Sequence, residues 1–284
     1  MPDHRDTWSS GDAYEPYVGR WSTLVAREFL RWLDAPENLR WLDVGCGTGA
    51  LSDAIVARCF PDAVVGVDRS EEYLGYARSR VTDPRVSFRP GDAQALPVKD
   101  AEHDIVVSGL MLNFVPDQAR AIAEMKRALS PGGTVAAYVW DYAGEMQLMR
   151  RFWDAAVALD PPALELDEGR RFPIARPGPL VELFEAAGLT QVRVLAIDVP
   201  TLFKDFDDYW KPFLGGQAPG ARLLHVAHRG AADRAPRAHP VDDAGPAGRQ
   251  HSSDRPRLGG ARPDRCADRI APDRIAKDPG RGDG

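Results

Sequence analysis

Leu39-Arg40-Trp41-Leu42-Asp43-Val44-Gly45-Cys46-Gly47-Thr48-Gly49-Ala50 decides the fold: a short apolar strand runs into a glycine-rich turn, with an acid two places before the first glycine. Glycines at 45, 47 and 49 let the backbone take positive φ and let a ligand lie against the main chain with no side chain between. Such loops usually cradle phosphates, because N–H groups at a helix N-terminus attract anions. Asp43 points elsewhere. A carboxylate at the strand end repels a pyrophosphate and suits a ligand that presents a cationic amine. The spacing Gly45-Cys46-Gly47-Thr48-Gly49-Ala50 also fits the dinucleotide fingerprint, so the loop alone leaves both nucleotide classes open.

Working outward, Ala63-Val64-Val65-Gly66-Val67 is β-rich and ends at Asp68, where an acid that accepts ribose hydroxyls is expected in either class. Val86-Ser87-Phe88 leads to Gly91-Asp92-Ala93-Gln94, a polar turn able to read an adenine edge. A fourth strand, 104–107, opens into Ser108-Gly109-Leu110-Met111-Leu112-Asn113-Phe114. Helices alternate with these strands. Leu24, Val25, Phe29, Leu30 and Leu33 recur at helical spacing, Ser70 caps a helix that begins at Glu71-Glu72, and Pro116-Asp117 opens another with Ile122, Met125 and Leu129 on one face. Pro131-Gly132-Gly133 ends it, a fifth strand follows over 134–140, a helix spans 179–188, and a sixth strand is expected over 191–199. The alternation argues for a parallel sheet with ligands beyond the carboxyl ends of its strands.

Taken together, Asp43-Val44-Gly45-Cys46-Gly47-Thr48-Gly49, Gly66-Val67-Asp68, Gly91-Asp92-Ala93 and Pro131-Gly132-Gly133-Thr134 resemble the class I S-adenosylmethionine-dependent methyltransferases. Within them the chain is most similar, over about residues 14–215, to the small-molecule group typified by ubiquinone/menaquinone-biosynthesis enzymes (methyltransferase type 11). The resemblance implies a Rossmann-like, doubly wound, mostly parallel α/β sheet with an inserted cap. It implies S-adenosylmethionine as cofactor and methyl transfer to a small-molecule acceptor by in-line displacement. It places Asp43, Gly45, Cys46, Gly47, Asp68, Arg69, Asp92, Ala93 and Ser108 around the donor, with Tyr17 and Arg20 in a segment that folds over it. The segments implied are a cap and helix at 1–34, a donor-binding core at 35–140, an acceptor-site insert at 141–178, a closing helix and strand at 179–217 and a tail at 218–284.

The insert is rich in large side chains at the mouth of the site, where a long connection is usually functional. Trp140, Met149, Trp153 and Phe172 are its candidates for an apolar or aromatic acceptor pocket, joined by Phe203, Phe206, Tyr209 and Trp210; a subsidiary core is the plainer role for the same residues. Arg150, Arg151, Arg170 and Arg171 fit solvated helix faces better than an acidic acceptor. Methyl transfer from a sulfonium asks the protein to align donor and nucleophile and to exclude water, so no metal or covalent nucleophile is required. A general base helps only where the acceptor carries a proton of high pKa. Asp141 is the candidate by position, with helix capping as the competing role; His103 precedes the fourth strand and lies at the wrong end. The fourth-strand loop lacks an Asn-Pro-Pro-Tyr type of sequence, which disfavours methylation of planar amino groups. A nicotinamide oxidoreductase would set Asp43 beside a pyrophosphate, a physical objection. A non-catalytic S-adenosylmethionine-binding protein is the other alternative, because of the C-terminal third.

Net charge is −6, from 36 basic and 42 acidic side chains, so no global attraction to nucleic acid or anionic membrane is expected. The first residues lack the apolar core of a signal peptide, the longest apolar run is far short of a membrane span, and the 3 scattered cysteines form neither a disulfide framework nor a zinc site. A cytoplasmic enzyme is expected. From Ala221 onward there is no Phe, Tyr, Trp or Glu, and Asp-Arg recurs at 233–234, 254–255, 264–265, 268–269 and 273–274. Such composition buries too little apolar surface to offset chain entropy, so disorder is expected. A flexible tail is the ordinary account; a shifted reading frame in a GC-rich gene is the sharper one. The resembling fold closes with an antiparallel strand between the fifth and sixth, and no convincing candidate for it follows Val199.

Overall fold

In the computed structural model, which describes residues 19–214, Trp41, Leu42, Asp43 and Val44 are all fully buried. That is the pattern of a strand covered on both faces. They belong to β1 (Arg40–Val44), the middle strand of a five-stranded sheet. β2 (Ala63–Asp68) and β4 (His103–Gly109) flank it in parallel, so that Asp43 stands between Gly66 and Val107. β3 (Val86–Pro90) pairs with β2, and β5 (Leu129–Tyr138) with β4, again in parallel. The order is therefore β3-β2-β1-β4-β5. The chain winds outward from β1 to β3, then crosses back to start β4 on the other side of β1, and a crevice opens at that reversal beyond the strand ends.

Side-chain alternation assigns the two faces. Trp41, Ile105, Val107, Ala136 and Tyr138 meet α1 (Arg20–Leu33) and α2 (Ala50–Cys59) through Val25, Phe29, Leu30, Leu51 and Ile55. Leu42, Val44, Val67, Val106 and Val135 meet α4 (Gln118–Ala128) and α7 (Pro177–Ala186) on the opposite face, through Ile122, Met125 and Phe184. Each large side chain so buried contributes about 1.5–3 kcal/mol. Local signals set the helix ends. Ser70 accepts the Tyr73 N–H at the start of α3 (Glu71–Arg80), where Glu71 and Glu72 meet the positive helix end, and Asp117 accepts the Arg120 N–H at the start of α4.

After β5 the chain builds a second, smaller core. α5 (Gln147–Leu159), the short α6 (Glu168–Arg171) and α8 (Phe206–Leu214) bring together Leu148, Met149, Phe152, Trp153 and Phe213. Phe152 stacks on Phe213 at 4.4 Å and 7°. The Tyr209 hydroxyl donates to the Leu148 carbonyl at 3.1 Å.

Two expectations are corrected. The fifth strand begins at Leu129 rather than 134: His103 pairs with Leu129 before the ladder slips and resumes at Ile105 with Thr134, so the Pro-Gly-Gly turn lies inside the strand. No strand forms over 191–199. Ile197 and Val199 pack on the α1/α2 core, but the backbone has no strand partner among the described residues, and Val194 and Leu195 remain 43% and 48% exposed. A β-rich segment becomes a strand only where a neighbour offers a ladder. The expectations for Tyr17 and for the 218–284 tail fall outside the described residues.

Candidate active site

The residues beyond the strand ends enclose a cavity of about 210 Å³. Its β1 wall is the glycine turn. Gly45 and Cys46 both donate their N–H to the Val67 carbonyl, at 2.7 and 3.1 Å, which ties the turn to β2. Gly45 has φ +73, and a Cβ there would lie 2.3 Å from Met111 Cγ, so both backbone and space demand glycine. Gly47 has φ +50, but a Cβ would meet nothing within 4 Å, because that side of the loop is open cavity.

Three acids edge this half. Asp43 is fully buried; its Oδ2 accepts from Ser52 Oγ at 2.7 Å, and its Oδ1 has no partner among the described residues. Burial pushes its pKa up to about 7, assisted by the nearby Asp68 carboxylate and opposed by the Ser52 hydrogen bond. Asp68, at the end of β2, accepts the Gly47 N–H at 3.0 Å on one oxygen and the Ser70 N–H at 2.8 Å on the other. Burial raises its pKa as well, against those backbone bonds and Arg69. Asp92 accepts from the Gln94 backbone N–H at 2.8 Å, which holds its carboxyl below the usual range. Arg69, Ala93 and Gln94 complete this side.

The β4–β5 half is different in kind. Leu110, Met111, Phe114, Tyr138, Trp140 and Tyr142 line it. Leu110 adopts φ +60, held by its N–H on the Tyr138 carbonyl at 2.8 Å. Behind this wall Phe172 packs edge-on against Phe114, with centroids at 5.3 Å, and 5.8 Å from Tyr142. The sheet order thus separates the cavity into an acidic half on β3-β2-β1 and an aromatic half on β4-β5.

The structure brings Asp43, Gly45, Cys46, Gly47, Asp68, Arg69, Asp92, Ala93 and Trp140 to this one cavity. It does not bring the others. Ser108 alternates onto the α4 face with Val106, is fully buried, and leaves Gly109 and Leu110 to line the site. Arg20 turns away to pair with Asp208 at 2.9 Å and to lie over the Trp21 ring at 4.3 Å, fastening α1 to α8. Met149 and Trp153 are 1% and 0% exposed in the smaller core, and Phe172 backs the lining without forming it. Asp141 spends its two oxygens on the Gly144 and Glu145 N–H groups at 2.9 and 3.0 Å, which makes it a turn cap. His103 is buried at the amino end of β4, far from the strand tips. Sequence reasoning missed Ser22, Thr48, Ser70, Tyr73, Tyr138 and Tyr142. Thr48 and Ser70 sit inside the quoted turns and were legible there; Ser22 on α1 is brought in by packing alone.

A family model described as a methyltransferase domain matches residues 42–137. The chain is 31% identical over 237 residues to the 2-methyl-6-phytyl-1,4-hydroquinone methyltransferase of Synechocystis sp., which spans 75% of this chain and 73% of that protein. It is 38% identical over 134 residues to the demethylmenaquinone methyltransferase of Lactiplantibacillus plantarum, covering 43% of this chain and 56% of that one. Among solved structures it superposes on a chain from the complex of the Haloferax volcanii Trm112 methyltransferase activator with a methyltransferase. There the TM-score is 0.52 and the identity 23%, over 76% of this chain and 93% of that chain, a likeness of fold. No helix among the described residues is long and apolar enough to cross a membrane.

Proposed function

We propose that this chain, which belongs to the S-adenosylmethionine-dependent methyltransferases, transfers a methyl group to a small-molecule acceptor with an apolar or aromatic body. The observation that carries the reading is the division of one cavity into an acidic half and an aromatic half.

The residues present fit the cofactor. Asp43 offers a buried oxygen without a partner, as an ammonium requires, and the backbone at Gly47 borders open space where a ligand can lie on the main chain. S-adenosylmethionine, when bound, supplies a methyl group already activated by the sulfonium charge. Asp43 then holds the ammonium, and Asp68 keeps lone pairs for the ribose hydroxyls beyond those used by Gly47 and Ser70. Asp92, Ala93 and Gln94 border the adenine. Leu110, Phe114, Trp140 and Tyr142 exclude water and hold the acceptor in line, which is the larger part of what this displacement asks of a protein. Asp141, already bonded to two backbone N–H groups, is assigned no proton transfer.

The hydroquinone and menaquinone precursors named for the relatives suit the aromatic half. The test is transfer of isotope label from S-adenosylmethionine to a panel of small hydroquinones and catechols. Labelled small aromatic product is expected; label appearing only in protein or nucleic acid would contradict the reading.

A further inference from the structure

Asp43 and Ser52 form a closed pair under the glycine turn. Both side chains are fully buried, Asp43 from β1 and Ser52 from the first turn of α2, and the Ser52 hydroxyl donates to Asp43 Oδ2 at 2.7 Å. A carboxylate has two oxygens with room for several donors, and among the described residues only one of them is engaged, the other being the unpartnered Oδ1. Asp43 itself lines the cavity whereas Ser52 does not. The hydroxyl therefore reaches Asp43 from a residue outside the cavity lining, and the buried Oδ1 is the oxygen left over for a ligand.

We propose that Ser52 is a positioning residue for donor binding: its hydroxyl anchors Asp43 Oδ2 so that Oδ1 is turned to the cavity, charged and ready for the donor's ammonium. The assignment rests on the reading of this cavity as an S-adenosylmethionine site. The surroundings explain why an anchor is needed. β2 brings the like charge of Asp68 and the loop brings the Cys46 thiol, while α1 contributes the neutral Ser22 and β4 the apolar Val107 beside Asp43. Burial and Asp68 both oppose ionisation; the Ser52 hydroxyl favours it. Without that hydroxyl the buried acid would hold its proton to higher pH and present a neutral group to a cation.

The experiment is calorimetric titration with S-adenosylhomocysteine, which keeps the ammonium, from pH 5.5 to 8. In the parent protein, affinity is expected to rise with pH as Asp43 ionises. In Ser52→Ala the rise is expected to move up by about one pH unit, giving about fivefold weaker binding near pH 7 and about tenfold near pH 6, with affinities converging at the alkaline end. Ser52→Thr, which keeps the hydroxyl, should restore the parent profile, and Ser52→Cys, with a weak donor of similar size, should shift it in the same direction as Ala should Ala fail to fold. In an Asp43→Asn background the Ser52→Ala change should leave the profile unmoved. The Asp68 contribution is common to parent and variant, so the difference isolates Asp43. A Ser52→Ala profile that coincides with the parent, or an equal loss at every pH that Thr does not restore, would overturn the assignment. Absence of binding by the parent at every pH would instead overturn the cofactor reading beneath it.

Discussion

Asp68 holds the loop at the edge of the cavity, since each oxygen accepts a backbone N–H, from Gly47 and from Ser70, while the residue borders the cavity where the proposed donor would lie. Asp68→Ala should lose about 1.5–3 kcal/mol for each charge-assisted ribose contact, which is at least tenfold in S-adenosylhomocysteine affinity. It should also lower the unfolding midpoint, because two N–H groups lose their acceptor. A folded Asp68→Ala that binds as tightly as the parent would remove Asp68 from the site. Glu168 poses a different question. It is 5% exposed, accepts from the Trp153 indole N–H, and is pushed by burial up to about 7 against the pull of that bond and of Arg171. Its folded pKa thus lies above its unfolded value, the folded state holds the extra proton between the two, and stability falls as pH rises from about 4.5 to about 7. The loss is at most about 3 kcal/mol. Glu168→Gln keeps an acceptor for the indole without the charge. Its thermal midpoint should therefore exceed the parent's above pH 7 and approach it below about pH 4.5; identical pH profiles would show that Glu168 does not titrate in this range.

Among the elements, α5 separates what sequence can reveal from what it cannot. Its spacing of Leu148, Met149, Phe152, Trp153 and Ala156 marks one apolar face, but a face meant for a ligand and a face meant for another helix have the same period. The structure gives it to α8, through Phe152 against Phe213. Phe213→Ala should accordingly cost about 3 kcal/mol of stability or more, while S-adenosylhomocysteine affinity stays within about threefold of the parent, because the acids proposed to meet the donor belong to β1, β2 and the turn after β3. Of this region Trp140 and Tyr142 reach the cavity, and Trp140 is packed against both the main and the smaller core. Trp140→Ala should lower methyl transfer to a small aromatic acceptor at least tenfold with donor affinity kept. Loss of both together would argue that Trp140 only supports the fold.

At the scale of the molecule, the parallel strands and the acids at their ends were legible because their signals are local: short β-rich runs, glycine turns and Ser/Asp caps. Ser108 and the 191–199 strand were misplaced because face and pairing are settled by distant partners, the alternation fixed by Val106 in one case and the missing ladder in the other. The segment over 191–199 leaves Val194 and Leu195 about half exposed and without a strand neighbour among the described residues, a combination that invites edge-to-edge association. Concentration-dependent light scattering is expected, and Leu195→Lys should reduce it; a parent that stays monodisperse at high concentration would contradict this. The acid before the glycine turn is proposed to select a cationic donor over a pyrophosphate. Calorimetric titration of S-adenosylhomocysteine and of NADH into the same preparation separates the two: saturable one-to-one binding of the first and none of the second is expected, and binding of NADH without S-adenosylhomocysteine would overturn the assignment of Asp43.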